Sequence, residues 1–335
     1  MAPPTKAALL IGAIDHARRE WEGFGEFVAR REYATGTRAD FLARCRDGEF
    51  DGVVAVYRSN ESTKYTGPFD QELVDALPES VKWICHNGAG YDNIAVEACT
   101  KRGISVSNTP IAVNDATADM AMWLMLGALR RISIPSHSVR IGEWRGDKFT
   151  LGHDPKNKTL GILGMGGIGS AVATRARAFG MKIQYHNRNP LPASEAGDAK
   201  YVSFEELLRS SDVLSLNLSL NASTRHIIGK AQFDMMKEGV VLVNTARGPL
   251  IDEAALVKAL DSGRVWSAGL DVYEFEPEVS AGLLANQNVV LLPHIGTATV
   301  ETQGQQRDME LLVLENLKMA VLDGKLKTAI PEQRR

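Results

Sequence analysis

Residues Thr159–Gly169 read TLGILGMGGIG, and how this stretch is read decides the fold. A short apolar run ends in Gly164, Met165, Gly166, Gly167, Ile168 and Gly169, and the residues that follow, SAVATRARAFG, have helix-forming composition. G-x-G-x-x-G between a strand and a helix is the arrangement that receives the pyrophosphate of a dinucleotide. Gly164 allows the tight turn, Gly166 lets the main chain approach the phosphates, and Gly169 lets helix and strand pack closely. The start of the helix adds unpaired N–H groups and the positive end of its dipole.

Downstream of the loop, KIQYHN (182–187), DVLSLNL (212–218), GVVLVNTA (239–246), SAGLDVY (267–273) and NVVLLPH (288–294) are short apolar runs ending in turn or polar residues. Strands buried on both faces of a parallel sheet have this pattern. Upstream, runs at 7–14, 51–56, 81–86 and 104–107 alternate with helical stretches, which predicts a second doubly wound unit. Asn108-Thr109-Pro110 breaks that alternation, and the 115–131 stretch is apolar on nearly every face, so it is expected to be a buried helix at a boundary. A last long helix over about 299–322 is expected to cross back to the first unit. The fold class is therefore α/β with two doubly wound parallel-sheet domains. A Rossmann dinucleotide-binding domain, 110–298, is inserted into a flavodoxin-like substrate domain, 1–109 and 299–335.

A chain of 335 residues suits two cores rather than one. Its net charge of −3 makes no electrostatic case for nucleic acid or an anionic membrane, which leaves small molecules as partners. No apolar run reaches membrane-spanning length. Cys45, Cys85 and Cys99 form no C-x-x-C pair and are odd in number, so neither a disulfide framework nor a metal site is expected, and a cytoplasmic location is.

Three strand ends carry the chemistry, because ligands of such sheets gather at the carboxyl ends of the strands. Arg247 follows the 239–246 run, Glu276 follows 267–273, and His294 ends 288–294. A planar guanidinium clamps a carboxylate bidentately. An imidazole gives a proton to a carbonyl oxygen as hydride arrives, and a carboxylate bonded to it raises its pKa and orients it. Together they read as a site that reduces an oxoacid.

The chain resembles the D-isomer-specific 2-hydroxyacid dehydrogenases, in the branch of glyoxylate/hydroxypyruvate reductases and fungal D-mandelate dehydrogenases. The resemblance rests on GAGYDNI (88–94), LGILGMGGIG (160–169), NTARGPLIDE (244–253), AGLDVYEFEP (268–277) and LPHIGTAT (292–299), in that order along almost the whole chain. It implies that Arg247 binds the substrate carboxylate, Glu276 is the acidic partner and His294 the acid/base. It also implies that the backbone at Ala89 and Gly90 holds the other side of the carboxylate, and that Thr117 and Asp271 meet the nicotinamide end. The expected cofactor set is Gly164, Gly166, Gly167, Ile168, Gly169, Asn187, Arg188, Thr117, Thr245, Ala246, Asp271, His294 and Gly296.

About 20 residues past the glycines, an NAD-specific protein presents an acid to the ribose 2′-hydroxyl. Here Asn187 holds that place and Arg188 follows. Asn and Arg can hydrogen-bond and neutralise a 2′-phosphate, so NADPH is expected in preference to NADH, with NAD as the alternative. Tyr57 and Tyr65 are candidates for lining the substrate pocket, and the 115–131 helix for a homodimer interface. The expected reaction is reduction of glyoxylate or hydroxypyruvate to the D-2-hydroxy acid. The alternatives are a larger D-2-hydroxyacid such as mandelate and, from another class, a nucleotide-sensing, corepressor-like binding protein.

Overall fold

A computed structural model describes residues 6–110, 112–145, 147, 149–304 and 306–334. The chain divides into two compact units, one using residues up to Ala112 and from Thr299 onward, the other Val113–Ala298. Ile111, next to the break expected at Asn108-Thr109-Pro110, lies outside the described residues.

The first unit is a parallel sheet of β1 (Ala7–Ile11), β2 (Ala29–Tyr33), β3 (Val53–Arg58), β4 (Trp83–His86) and β5 (Ser105–Ser107), in the order β2-β1-β3-β4-β5. This is the flavodoxin-like order. Alternate residues of β1 feed opposite cores, because successive side chains of a strand point to opposite faces. Leu9 and Ile11 pack with Phe41, Val56 and Phe69, whereas Ala8 and Leu10 pack with Tyr57, Cys85 and Leu317. Leu317 lies on the helix Gln306–Asp323, so the end of the chain covers one face of this sheet. From the same helix the buried Glu310 carboxylate accepts N–H bonds from Asp15, His16 and Ala17 at 3.0, 2.8 and 2.7 Å, which ties down the turn after β1. Strand β2, ARREY, is mostly exposed. Its charges suit a sheet edge, which natural sheets protect in this way, and they leave no apolar run to announce a strand.

The second unit holds β6 (Thr159–Leu163), β7 (Lys182–His186), β8 (Lys200–Tyr201), β9 (Val213–Leu216), β10 (Val240–Asn244), β11 (Val265–Leu270) and β12 (Val289–Leu291). They are parallel, in the order β12-β11-β10-β9-β6-β7-β8. The order reverses at β6, between β7 and β9, and the glycine loop leaves the sheet there. The carboxyl ends of strands around such a switch point form the ligand crevice of Rossmann sheets. The helix Asn114–Leu129 packs on β10 and β11 so closely that a Cβ at Gly269 would lie 2.8 Å from Leu124. The three cysteines are buried free thiols. Among the described residues no helix is long and apolar enough to cross a membrane.

Candidate active site

At the switch point Gly164 adopts φ +94°, and a Cβ there would meet the Asn217 main chain at 2.9 Å. Gly166 caps the helix Gly167–Ala178, and a Cβ on it would meet nothing within 4 Å, so the space above its main chain is open. Gly169 lies against the turn itself, since a Cβ would come within 2.4 Å of the Gly164 carbonyl.

Three further turns follow β10, β11 and β12. The buried Asn244 accepts the Ala246 N–H at 3.0 Å and donates to the Arg247 carbonyl at 2.9 Å, which shapes the turn that carries the guanidinium. Gly248 presses on the next turn: a Cβ would lie 1.9 Å from the Tyr273 carbonyl. Only a residue without a side chain lets these two stretches of main chain touch. Glu276 is held by its own turn, one carboxylate oxygen accepting the Tyr273 N–H at 3.0 Å. Its other oxygen lies 2.7 Å from His294 Nδ1. His294 has φ +56°, and its N–H donates to the Asp271 carbonyl at 2.8 Å. The buried Asp271 carboxylate accepts N–H bonds from Ile295 at 2.8 Å and Gly296 at 2.7 Å.

The electrostatics follow from this packing. The bond to Glu276 pushes the His294 pKa up, against burial and the nearby Arg247 charge. Burial works against the charge on Glu276, but the bonds from His294 and the Tyr273 N–H hold the carboxyl below its usual range. Asp271 moves the other way, burial outweighing its two main-chain bonds. Nδ1 of His294 is committed to a carboxylate, so Nε2 is the atom left to exchange a proton.

The D-isomer specific 2-hydroxyacid dehydrogenase, NAD binding domain, matches residues 122–296. The chain is also 62% identical to 4-methyl-2-oxopentanoate reductase A of Aspergillus oryzae, over 98% of each chain. The chain belongs to the D-isomer specific 2-hydroxyacid dehydrogenases. A crystal structure of a glyoxylate reductase from Paecilomyes thermophila is 63% identical, covering 99% of this chain and 100% of that one with a TM-score of 0.93. The holo form of Rhodotorula graminis D-mandelate dehydrogenase is 32% identical over 98% of each chain, with a TM-score of 0.88. As a member of this family the chain is an oxidoreductase acting on CH–OH donors, and reduction of oxoacids is its class of reaction.

The residues present fit the dinucleotide of the family. The side-chain oxygens of Asn217, which follows β9 and lies against Gly164, and of Thr245, after β10, are buried without a hydrogen-bond partner among the described residues. Unsatisfied buried acceptors and donors at strand ends are what a polar ligand completes. Thr117, Asp271 and Gly296 also come together, a Cβ on Gly296 lying 2.9 Å from Asp271 Oδ2 and 3.7 Å from Thr117 Cγ2.

Some expectations change. Tyr57 is fully buried in the core of the first unit, its hydroxyl within 3.4 Å of the Asn87 amide, and so it lines no pocket. The reason is strand parity, which turns Tyr57 toward the helix Gln306–Asp323. Tyr65 is half-buried against the opposite core. Asn187 grips the glycine turn: its Oδ1 accepts the Met165 N–H at 2.6 Å and its Nδ2 donates to the Met165 carbonyl at 3.3 Å. Arg188 beside it is exposed. The hydrogen-bonding roles of Asn244, Arg58 and His86 were not read from the sequence. A polar residue closing an apolar strand, as all three do, was the available signal.

Proposed function

We propose that this dehydrogenase is an NADPH-preferring reductase of small 2-oxoacids, glyoxylate and hydroxypyruvate foremost, and that it forms the D-2-hydroxy acid. The observation that carries the reading is the 2.7 Å contact of His294 Nδ1 with Glu276, on the turns adjoining Arg247. Arg247 takes the substrate carboxylate through its planar fork. The open amides of Ala89 and Gly90 are a second carboxylate receptor, in the first unit. Reduced dinucleotide supplies the hydride for the carbonyl carbon. His294 Nε2 gives its proton to the carbonyl oxygen, and Glu276 stabilises the imidazolium until that moment and orients the ring. Thr117, Thr245, Ala246, Asp271 and Gly296 line the nicotinamide end, and Gly164, Gly166, Gly167, Ile168 and Gly169 the pyrophosphate. NADPH preference falls to Arg188, an exposed cation where an acid would repel a 2′-phosphate.

A homodimer through the helix Asn114–Leu129 and the segment after it is part of this reading. Trp123, Ile132, Val139, Ile141, Trp144, Phe149 and Leu151 are all exposed within that stretch, Trp144 at 74%. Large apolar side chains gathered on a surface mark interaction sites. The buried reduced thiols fit a cytoplasmic location. A larger D-2-hydroxyacid is the second reading, favoured by the 62% identity to a reductase of the branched 4-methyl-2-oxopentanoate.

The test is an initial-rate panel of glyoxylate, hydroxypyruvate, 4-methyl-2-oxopentanoate and benzoylformate with NADPH and NADH. Glyoxylate or hydroxypyruvate with NADPH should give the highest kcat/KM, and a lead for the branched or aryl acid selects the second reading. His294→Ala should cost about 10²- to 10⁴-fold in kcat, the usual worth of a general acid. Wild-type turnover in that variant refutes the mechanism.

A further inference from the structure

Arg58 closes β3 and His86 closes β4, and the two are register partners in the sheet. Both side chains are fully buried. Arg58 NH1 lies 3.0 Å from His86 Nδ1, and His86 Nε2 lies 3.0 Å from the Gly90 carbonyl oxygen. A guanidinium has donors and no acceptor, so Nδ1 must accept. The ring proton therefore sits on Nε2, which donates to Gly90. The guanidinium is fixed in turn by Thr63 Oγ1, at 3.0 Å, and by the Phe69 ring, 5.0 Å below. Burial pulls it down to about 10, which leaves it charged at neutral pH.

The turn over this ring is held by its carbonyls. Gly88 O accepts the Thr109 N–H at 3.0 Å, Ala89 O accepts the Asn108 side-chain amide at 2.7 Å, and Gly90 O accepts His86. In a trans peptide the C=O and the following N–H point in opposite directions. Holding the first two carbonyls therefore turns the Ala89 and Gly90 N–H groups away from the groups that hold them, and neither donates to any group among the described residues. The imidazole is also the floor of the turn, since a Cβ on Gly88 would lie 2.5 Å from His86 Nε2.

We propose that Arg58 and His86 are positioning residues for the reaction: the guanidinium fixes the imidazole as its Nε2–H tautomer, and the imidazole holds the turn whose amides receive the substrate carboxylate. This rests on the reading of the chain as a 2-oxoacid reductase.

The test compares His86→Asn with His86→Gln in the full-length enzyme. The amide of Asn sits where Nδ1 was and falls short of Gly90, whereas the Gln amide reaches it. His86→Asn should raise KM for glyoxylate about tenfold, the worth of one buried hydrogen bond, while kcat and NADPH affinity by fluorescence titration stay within about twofold. His86→Gln should restore most of the loss. An unchanged KM in His86→Asn, or equal losses of kcat, KM and melting temperature in both variants, overturns the proposal. Should neither variant fold, ¹⁵N NMR of the wild-type imidazole decides: an Nε2–H ring that does not titrate between about pH 6 and pH 8 supports it, and an Nδ1–H or titrating ring refutes it. The unmodified enzyme separates the two readings: no turnover of any 2-oxoacid with either dinucleotide removes the reductase assignment whatever the tautomer of His86, whereas turnover with an unchanged KM in His86→Asn removes this proposal alone.

Discussion

His86 and His294 both stand at the carboxyl ends of parallel strands, one in each sheet, and each has one ring nitrogen bonded to a charged side chain. The charges are opposite. His86 Nδ1 accepts from the Arg58 guanidinium, and His294 Nδ1 faces the Glu276 carboxylate. An imidazole beside a carboxylate gains by taking a second proton, so it can serve as an acid. One beside a guanidinium would lose that bond by doing so, because its Nδ1 must remain an acceptor. In the proposed mechanism, the sign of one neighbour thus separates a proton donor from a structural post. Burial follows the same division: His86 is fully buried, whereas the His294 side chain keeps 47% exposure, as a group that must meet substrate requires.

The contrast can be broken most sharply at Glu276. Reduction needs the imidazolium, so the rate is full below the raised pKa of His294 and falls as pH rises through it. Glu276→Gln removes the anion that raises this pKa. The fall should then begin at lower pH, and kcat/KM near neutrality should drop by about 10²-fold, within the range for general acid catalysis. A pH–rate profile that keeps its alkaline limb would show that the carboxylate does not set the proton affinity.

Gly88→Ala addresses the other imidazole. The new methyl group would enter the ring at 2.5 Å, so KM for the oxoacid should rise about tenfold while the pH profile stays in place. A moved alkaline limb in this variant would mean that the two imidazoles are not independent. Arg188→Ala should weaken NADPH about tenfold with little effect on NADH, as expected for one lost charge-assisted contact. Asn187→Ala should give the smallest change, about threefold and equal for both dinucleotides, because its amide braces the Met165 peptide. A selective loss of NADPH in Asn187→Ala would reverse these two assignments.

Much of the fold was legible because the central strands are apolar on both faces and end in turn residues. The edge strand β2 was not, since an edge needs charge more than apolar content. Arg247, Glu276 and His294, the proposed site residues, could be picked out because each follows an apolar run, and ligands collect at strand ends. The contact of Glu276 with His294 required the fold, as 18 residues separate them in sequence. Tyr57 was misplaced because a strand's period of two says which residues share a face but not which face meets the ligand. Asn187 was assigned to a phosphate from its spacing alone, and spacing is silent on whether a side chain already has partners.

The amino-acid sequence by itself determined the class of sheet and the dinucleotide loop, and it supplied the groups proposed to move a proton and hold a carboxylate. Each of these depends on residues adjacent along the chain. The tertiary structure alone decided that the other imidazole, His86, meets a cation, because that choice is made by strand register. Arg58 is 28 residues from His86, and only their pairing across β3 and β4 brings a guanidinium to Nδ1. The proton on His86 is thereby set by a neighbour that no local pattern reveals.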